Sequence, residues 1–113
     1  MLILKKEILR KMQERILKDF LDILVLSKLR KEPKSGYDVI TFIQKRFNIL
    51  PSSGTVYSTL YLLERDGLIK GDLTQGKRVY TLTDKGEKTI HTILASREKI
   101  QLLFTALLDN LSE

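Results

Sequence analysis

The feature that most constrains this chain is a change of period at Gly67. Before that glycine, apolar residues recur every three or four positions. Between Leu68 and Thr83, in "LIKGDLTQGKRVYTLT", they follow the two-residue alternation of strands, and after Thr83 the helical spacing returns. Such a chain is mainly α with one small β-hairpin, turning at Gln75 and Gly76. Its 113 residues amount to about one domain.

Prolines and small polar residues divide the helical stretch before Gly67. Leu9, Met12, Ile16, Phe20 and Ile23 keep helical spacing, and no proline intervenes before Pro33. From Phe20 to Leu29 nearly every residue is apolar. This predicts an amphipathic leading helix, Ile3 to Lys18, then a buried helix, Phe20 to Arg30, with Asp19 capping the second. "KEPKSG" predicts a turn. Ser35 and Asp38 form a capping box for a helix from Gly36 to Phe47 that packs through Tyr37, Ile40, Ile43 and Phe47 and stops at Asn48. Ser52 then caps a helix from Ser53 to Asp66, ended by Gly67, with Val56, Leu60 and Leu63 facing the core.

After the hairpin, the spacing predicts one long helix from Thr83 or Asp84 onward. Ile90, Arg97, Phe104 and Leu111 form one heptad position, and Ile93, Ile100 and Leu107 form the other. So small a chain has little core left to cover that seam, which predicts a homodimer formed through it.

Hydrophobic residues make up 42% and charged residues 30%, which suits a folded soluble domain rather than a disordered one. There are no cysteines, so disulfides, thiolate metal sites and cysteine nucleophiles are excluded, and the composition suits a reducing cytosol. "FLDILVL" lacks the flanks and length of an exported or spanning segment, and we read the protein as cytoplasmic. The lone histidine, His91, lies on the polar side of the last helix. No phosphate-binding glycine loop, HExxH or nucleophile elbow occurs, so the sequence predicts neither an enzyme nor a bound cofactor or metal.

The net charge is +6, which favours an anionic partner. Residues 1–35 carry ten basic and five acidic groups, residues 36–69 three of each, residues 70–86 four and two, and residues 87–113 three and four. The excess flanks the Ser53–Asp66 helix rather than lying on it.

That helix has a second face. At about 100° per residue, Gly54, Tyr57, Ser58, Tyr61 and Arg65 cluster opposite Val56, Leu60 and Leu63. Three helices, a hairpin and a polar, aromatic outer face are the plan of a winged helix-turn-helix reader of double-stranded DNA. Ser53, Gly54 and Thr55 give the helix start little bulk and leave its N–H groups near a phosphate. Tyr57, Ser58 and Tyr61 offer hydroxyls and rings, while Gln75, Lys77 and Arg78 sit at the hairpin turn, suited to phosphates or an adjacent groove. Taken singly, each has a plainer reading: a helix cap, a tyrosine at a core edge, solvated charges on a turn.

"GYDVITFIQKRF", "SSGTVYSTLYLLERDGLI" and "VYTLTDKGEK", in this order, resemble the PadR family of transcriptional regulators across about residues 20–90. The resemblance implies a homodimeric winged helix repressor of operator DNA, of the short subfamily whose single C-terminal helix dimerises. Residues 1–83 then form the DNA-binding domain with its leading helix, and residues 84–113 the dimerisation helix. Gly54, Thr55 and Tyr57 fall on the family's DNA-contacting helix start. Tyr37 falls on a position supporting the helix-turn-helix, and Tyr80 and Leu82 on positions that pack the wing. The chain departs from the pattern at Ser58, where proline is common, at Ser35, where histidine is common, and in a less arginine-rich wing. It also lacks the tryptophans between which some short members bind aromatic drugs, so any small-molecule effector is left unspecified.

Two other readings stand beside this one. A winged helix with a neutral third helix also serves as a protein-interaction module without sequence-specific DNA binding. The basic residues of the first helix, residues 2–18, also match an amphipathic membrane-surface helix, a reading set below a partnership with DNA and a second copy.

Overall fold

The computed structural model describes residues 2–111. The elements run α1 (Leu2–Asp19), α2 (Leu21–Leu29), β1 (Lys34–Ser35), α3 (Gly36–Phe47), α4 (Ser53–Arg65), β2 (Ile69–Thr74), β3 (Lys77–Leu82), α5 (Asp84–Ala95) and α6 (Arg97–Asn110). The three strands form an antiparallel sheet in the order β1-β3-β2. β1 escaped the sequence reading because it is two residues long, pairing Lys34 with Tyr80 and Ser35 with Val79 along the middle of β3.

One core joins these elements. Leu21, Val25, Leu26 and Leu29 of α2 meet Val39 and Ile43 of α3, Val56, Leu60 and Leu63 of α4, Ile69 and Tyr80 of the sheet, and Ile90 of α5. α2 lies among the other elements, so it is apolar nearly all round. Leu82 packs half-buried against the same cluster, and both wing-packing residues therefore stand where the sequence puts them.

Local chemistry explains where the helices begin and end. Ser35 Oγ accepts the Asp38 N–H at 3.1 Å, and Asp38 Oδ2 accepts the Ser35 N–H at 3.0 Å, closing the expected capping box. Asn48 ends α3 in the left-handed region, at φ 56°. Ser52 Oγ accepts the Thr55 N–H at the start of α4. At its end Gly67, at φ 77°, donates to Glu64 O and Leu68 to Leu63 O, a Schellman closure that turns the chain into β2. Thr83 Oγ1 accepts from Gly86 N–H and donates to Gly67 O, tying the start of α5 to the end of α4.

Four expectations change. Asp19 does not cap α2: it is the last residue of α1, and Phe20 occupies the junction with no side-chain cap. The Phe20 ring instead anchors that corner against Phe104, with centroids 5.6 Å apart. Tyr37 does not pack inside; its side chain is 67% exposed, and Val39 takes the buried place on α3. The last helix is two helices, because the Ser96 N–H is shared between Thr92 O and Ile93 O and the regular ladder loosens there.

The fourth change concerns the seam. Ile90 is fully buried within its own chain, against the core beneath α2, and has no surface left for a partner. Past Ser96 the helix leaves that core, and no residue of α6 is buried. Ile93, Ile100 and Phe104 instead line an apolar groove of about 280 Å³ with Ile16, Phe20, Ile23, Leu94 and Arg97, while Leu107 and Leu111 are exposed.

Candidate nucleic-acid interface

α4 is held by Val56, Leu60 and Leu63, so its opposite face is turned to solvent. Gly54, Tyr57, Ser58, Tyr61 and Arg65 are all exposed there, as their angular positions predict, and Ser53 is exposed at the helix start. Thr55 is half-buried, and its N–H is already engaged by Ser52 Oγ. The Thr55 carbonyl accepts the Thr59 hydroxyl at 2.9 Å. The helix start thus offers the N–H groups around Ser53 and Gly54 and the exposed Ser53 hydroxyl, at the end where the macrodipole is positive.

Tyr57 is half-exposed because one side of its ring lies on Gly36, the first residue of α3. A β-carbon at Gly36 would stand 2.5 Å from Tyr57 Cε1, so the absent side chain is what lets the ring lie there. Tyr37, next along α3, is exposed, as are Tyr57 and Tyr61 of α4. Sequence reasoning missed its exposure because helical spacing alone gives Tyr37 and Val39 equal claims on the core.

The wing turns through Gln75 and Gly76, at φ 53° and 75°, a type I′ geometry that continues the strand twist. Gln75 and Lys77 are exposed beside that turn. Asp38 is held below the ordinary carboxyl value, first by the Ser35 backbone N–H and further by the Ser35 hydroxyl, Lys77 and Lys34. Arg78 is differently placed. Its Nη2 lies 2.9 Å from both oxygens of Glu64 on α4, and its guanidinium carbon lies 5.7 Å from the Tyr80 ring centroid. The Arg78 hydrogen bond, with the Gly71 N–H, keeps the Glu64 carboxyl low, and the same pair raises Arg78 above its ordinary value.

Positive charge reaches this surface from elements distant in sequence. Lys18, in the last turn of α1, lines a shallow groove with Asp19 and with Ser52, Gly54, Thr55, Ser58 and Thr59 of the α4 start. Lys28, Lys34, Lys45 and Arg46 gather around Asp38, Thr41 and Phe42 on the flank of α3. The segment totals pointed to the N-terminal region, but only the packing of α1 singles out Lys18.

Among the described residues, no group of His, Cys, Asp and Glu side chains is suited to hold a metal ion, and no helix is long and apolar enough to cross a membrane.

A three-helix core with a sheet-borne wing and an exposed, cap-started third helix is the winged helix-turn-helix class of protein. The family model described as "Transcriptional regulator PadR-like family" matches residues 25–92, and the chain belongs to that family. It is a transcriptional regulator rather than an enzyme. A PadR-like transcriptional regulator from Bacillus cereus strain ATCC 14579 is similar at 25% identity and TM-score 0.72, over 83% of this chain and 96% of that one. A PadR family regulator from Clostridium difficile R20291 is similar at 26% identity and TM-score 0.68, over 79% and 98%. Bacillus subtilis PadR, solved in complex with operator DNA, is 31% identical with TM-score 0.60, over 66% of this chain and 46% of that one. No curated protein matches the sequence.

Proposed function

We propose that this regulator binds operator DNA sequence-specifically as a homodimer and acts as a repressor. The observation that carries the reading is the α4 surface: a small, cap-started N-terminus followed by Tyr57, Ser58 and Tyr61, all solvent-facing, flanked by Lys18 and by the wing residues Gln75 and Lys77. Two copies of α4 enter successive major grooves about 34–36 Å apart. Their serine and tyrosine hydroxyls read base edges and phosphates, and the flanking lysines supply the attraction. The operator complex of Bacillus subtilis PadR supports the same use of the shared fold.

The dimer reading rests on uncovered apolar faces. Ile8, Leu9, Met12 and Ile16 of α1, Leu103, Leu107 and Leu108 of α6, and Leu111 just past its end are all exposed. Residues 1–83 then serve as the DNA-binding part and residues 84–113 as the dimerisation part. Ile93, Arg97, Ile100, Phe104, Leu107 and Leu111 remain for the seam, without Ile90.

The test is a mobility-shift titration on DNA from around the chain's own gene against random duplex, over a range of salt, with the mass in solution measured in parallel. A steep salt dependence, a preference for one site and a doubled mass are expected. Binding that ignores sequence, alongside stable capture of another protein, would instead favour an interaction module.

A further inference from the structure

Glu64 stands near the end of α4, at the edge facing the hairpin. Oε2 accepts the Gly71 N–H of β2 at 3.0 Å, and both oxygens lie 2.9 Å from Arg78 Nη2 of β3. One carboxylate thereby ties the recognition helix to both strands of the wing. It stands beside the pairing of β1 with β3, Lys34 with Tyr80 and Ser35 with Val79, which joins the body to the same stretch of the wing.

Arg78 reaches Glu64 by crossing Gly71. A β-carbon at Gly71 would come within 2.7 Å of Nε and 2.8 Å of Nη2, so the bare glycine clears the guanidinium's path. An arginine built to neutralise phosphate gains nothing from a carboxylate that cancels it at contact distance. Lys77, one residue away, forms no ion pair among the described residues and is the wing's exposed cation beside the turn.

We infer that Glu64 and Arg78 are positioning residues that fix the angle of the wing against the recognition helix for docking on DNA, and that Arg78 is not itself a phosphate contact. The inference rests on the DNA-binding reading above. It gives Gly71 a role too, since a β-carbon there would push the guanidinium off its present path over β2.

The experiment measures affinity for the chain's promoter DNA, the slope of log affinity on log salt, and the melting temperature for the wild type and five variants. Glu64→Ala, Arg78→Ala and Gly71→Ala are each expected to weaken binding by roughly 5- to 30-fold with the salt slope unchanged. Gly71→Ala does so with every charge still present. Glu64→Gln keeps an acceptor for Gly71 and recovers part of the loss, and the Glu64→Ala/Arg78→Ala double variant is no weaker than either single one. Backbone exchange at Gly71, measured without DNA, accelerates in Glu64→Ala while core amides keep their protection.

Tighter binding by Glu64→Ala, with a slope reduced by about one in Arg78→Ala, overturns the inference and makes Arg78 a phosphate contact. So does a lowered melting temperature with unchanged affinity, which would make the tie merely structural. A wild type that shows no preference for its promoter overturns the DNA-binding reading and this role together, whereas a wild type that binds with unaffected variants overturns this role alone.

Discussion

Gly36 and Tyr57 form the most exacting pair at the scale of single residues. Filling the space beneath the ring displaces Tyr57 outward rather than disturbing the core, since the ring is already half-exposed. Gly36→Ala is therefore expected to weaken DNA binding about tenfold in a mobility-shift titration while the melting temperature moves little. Carboxyl groups set the acid limit. Asp38 is held low by the Ser35 N–H, and Glu64 by Arg78 and the Gly71 N–H. A carboxyl depressed in the folded state adds stability that is complete above about pH 5, beyond its unfolded value, and is lost as pH falls through the folded one. Urea midpoints should therefore drop below about pH 4, and Asp38→Ala should blunt that drop while lowering stability by about 1 kcal/mol at neutral pH.

Elements hold together through α4, whose two faces have opposite tasks. Leu60, fully buried between α2 and the sheet side of the core, is expected to cost about 2–5 kcal/mol as Leu60→Ala, read from urea unfolding. On the wing, Lys77→Ala is expected to leave stability unchanged and to reduce the salt slope of DNA binding by about one. The ends of α3 and α4 were legible because capping is local: Ser35 with Asp38, Ser52 with Thr55, and Gly67 after Arg65 act within one turn of chain. The junction at Phe20 and the break at Ser96 were not. Phe20 is held by a ring 84 residues away, and Ser96 marks where the helix parts from the core, so neither has a local signature.

Across the whole molecule, α1 and α6 carry apolar stripes that their own chain leaves uncovered. Replacing Leu103 and Leu107 together with lysine is expected to halve the mass in solution and to remove the concentration dependence of the melting temperature, with the winged helix fold retained. The sequence by itself determined the period change at Gly67, the caps of α3 and α4, the buried stripe of α4 and its exposed counterpart, because each depends on spacing and hydrogen bonds within a few residues. Tertiary structure alone decided which of Tyr37 and Val39 turns inward, that Ile90 belongs to the core, that Lys18 stands beside the recognition helix, and that Arg78 turns back to Glu64. Those outcomes depend on distances between elements far apart in the chain, which no local pattern of residues encodes.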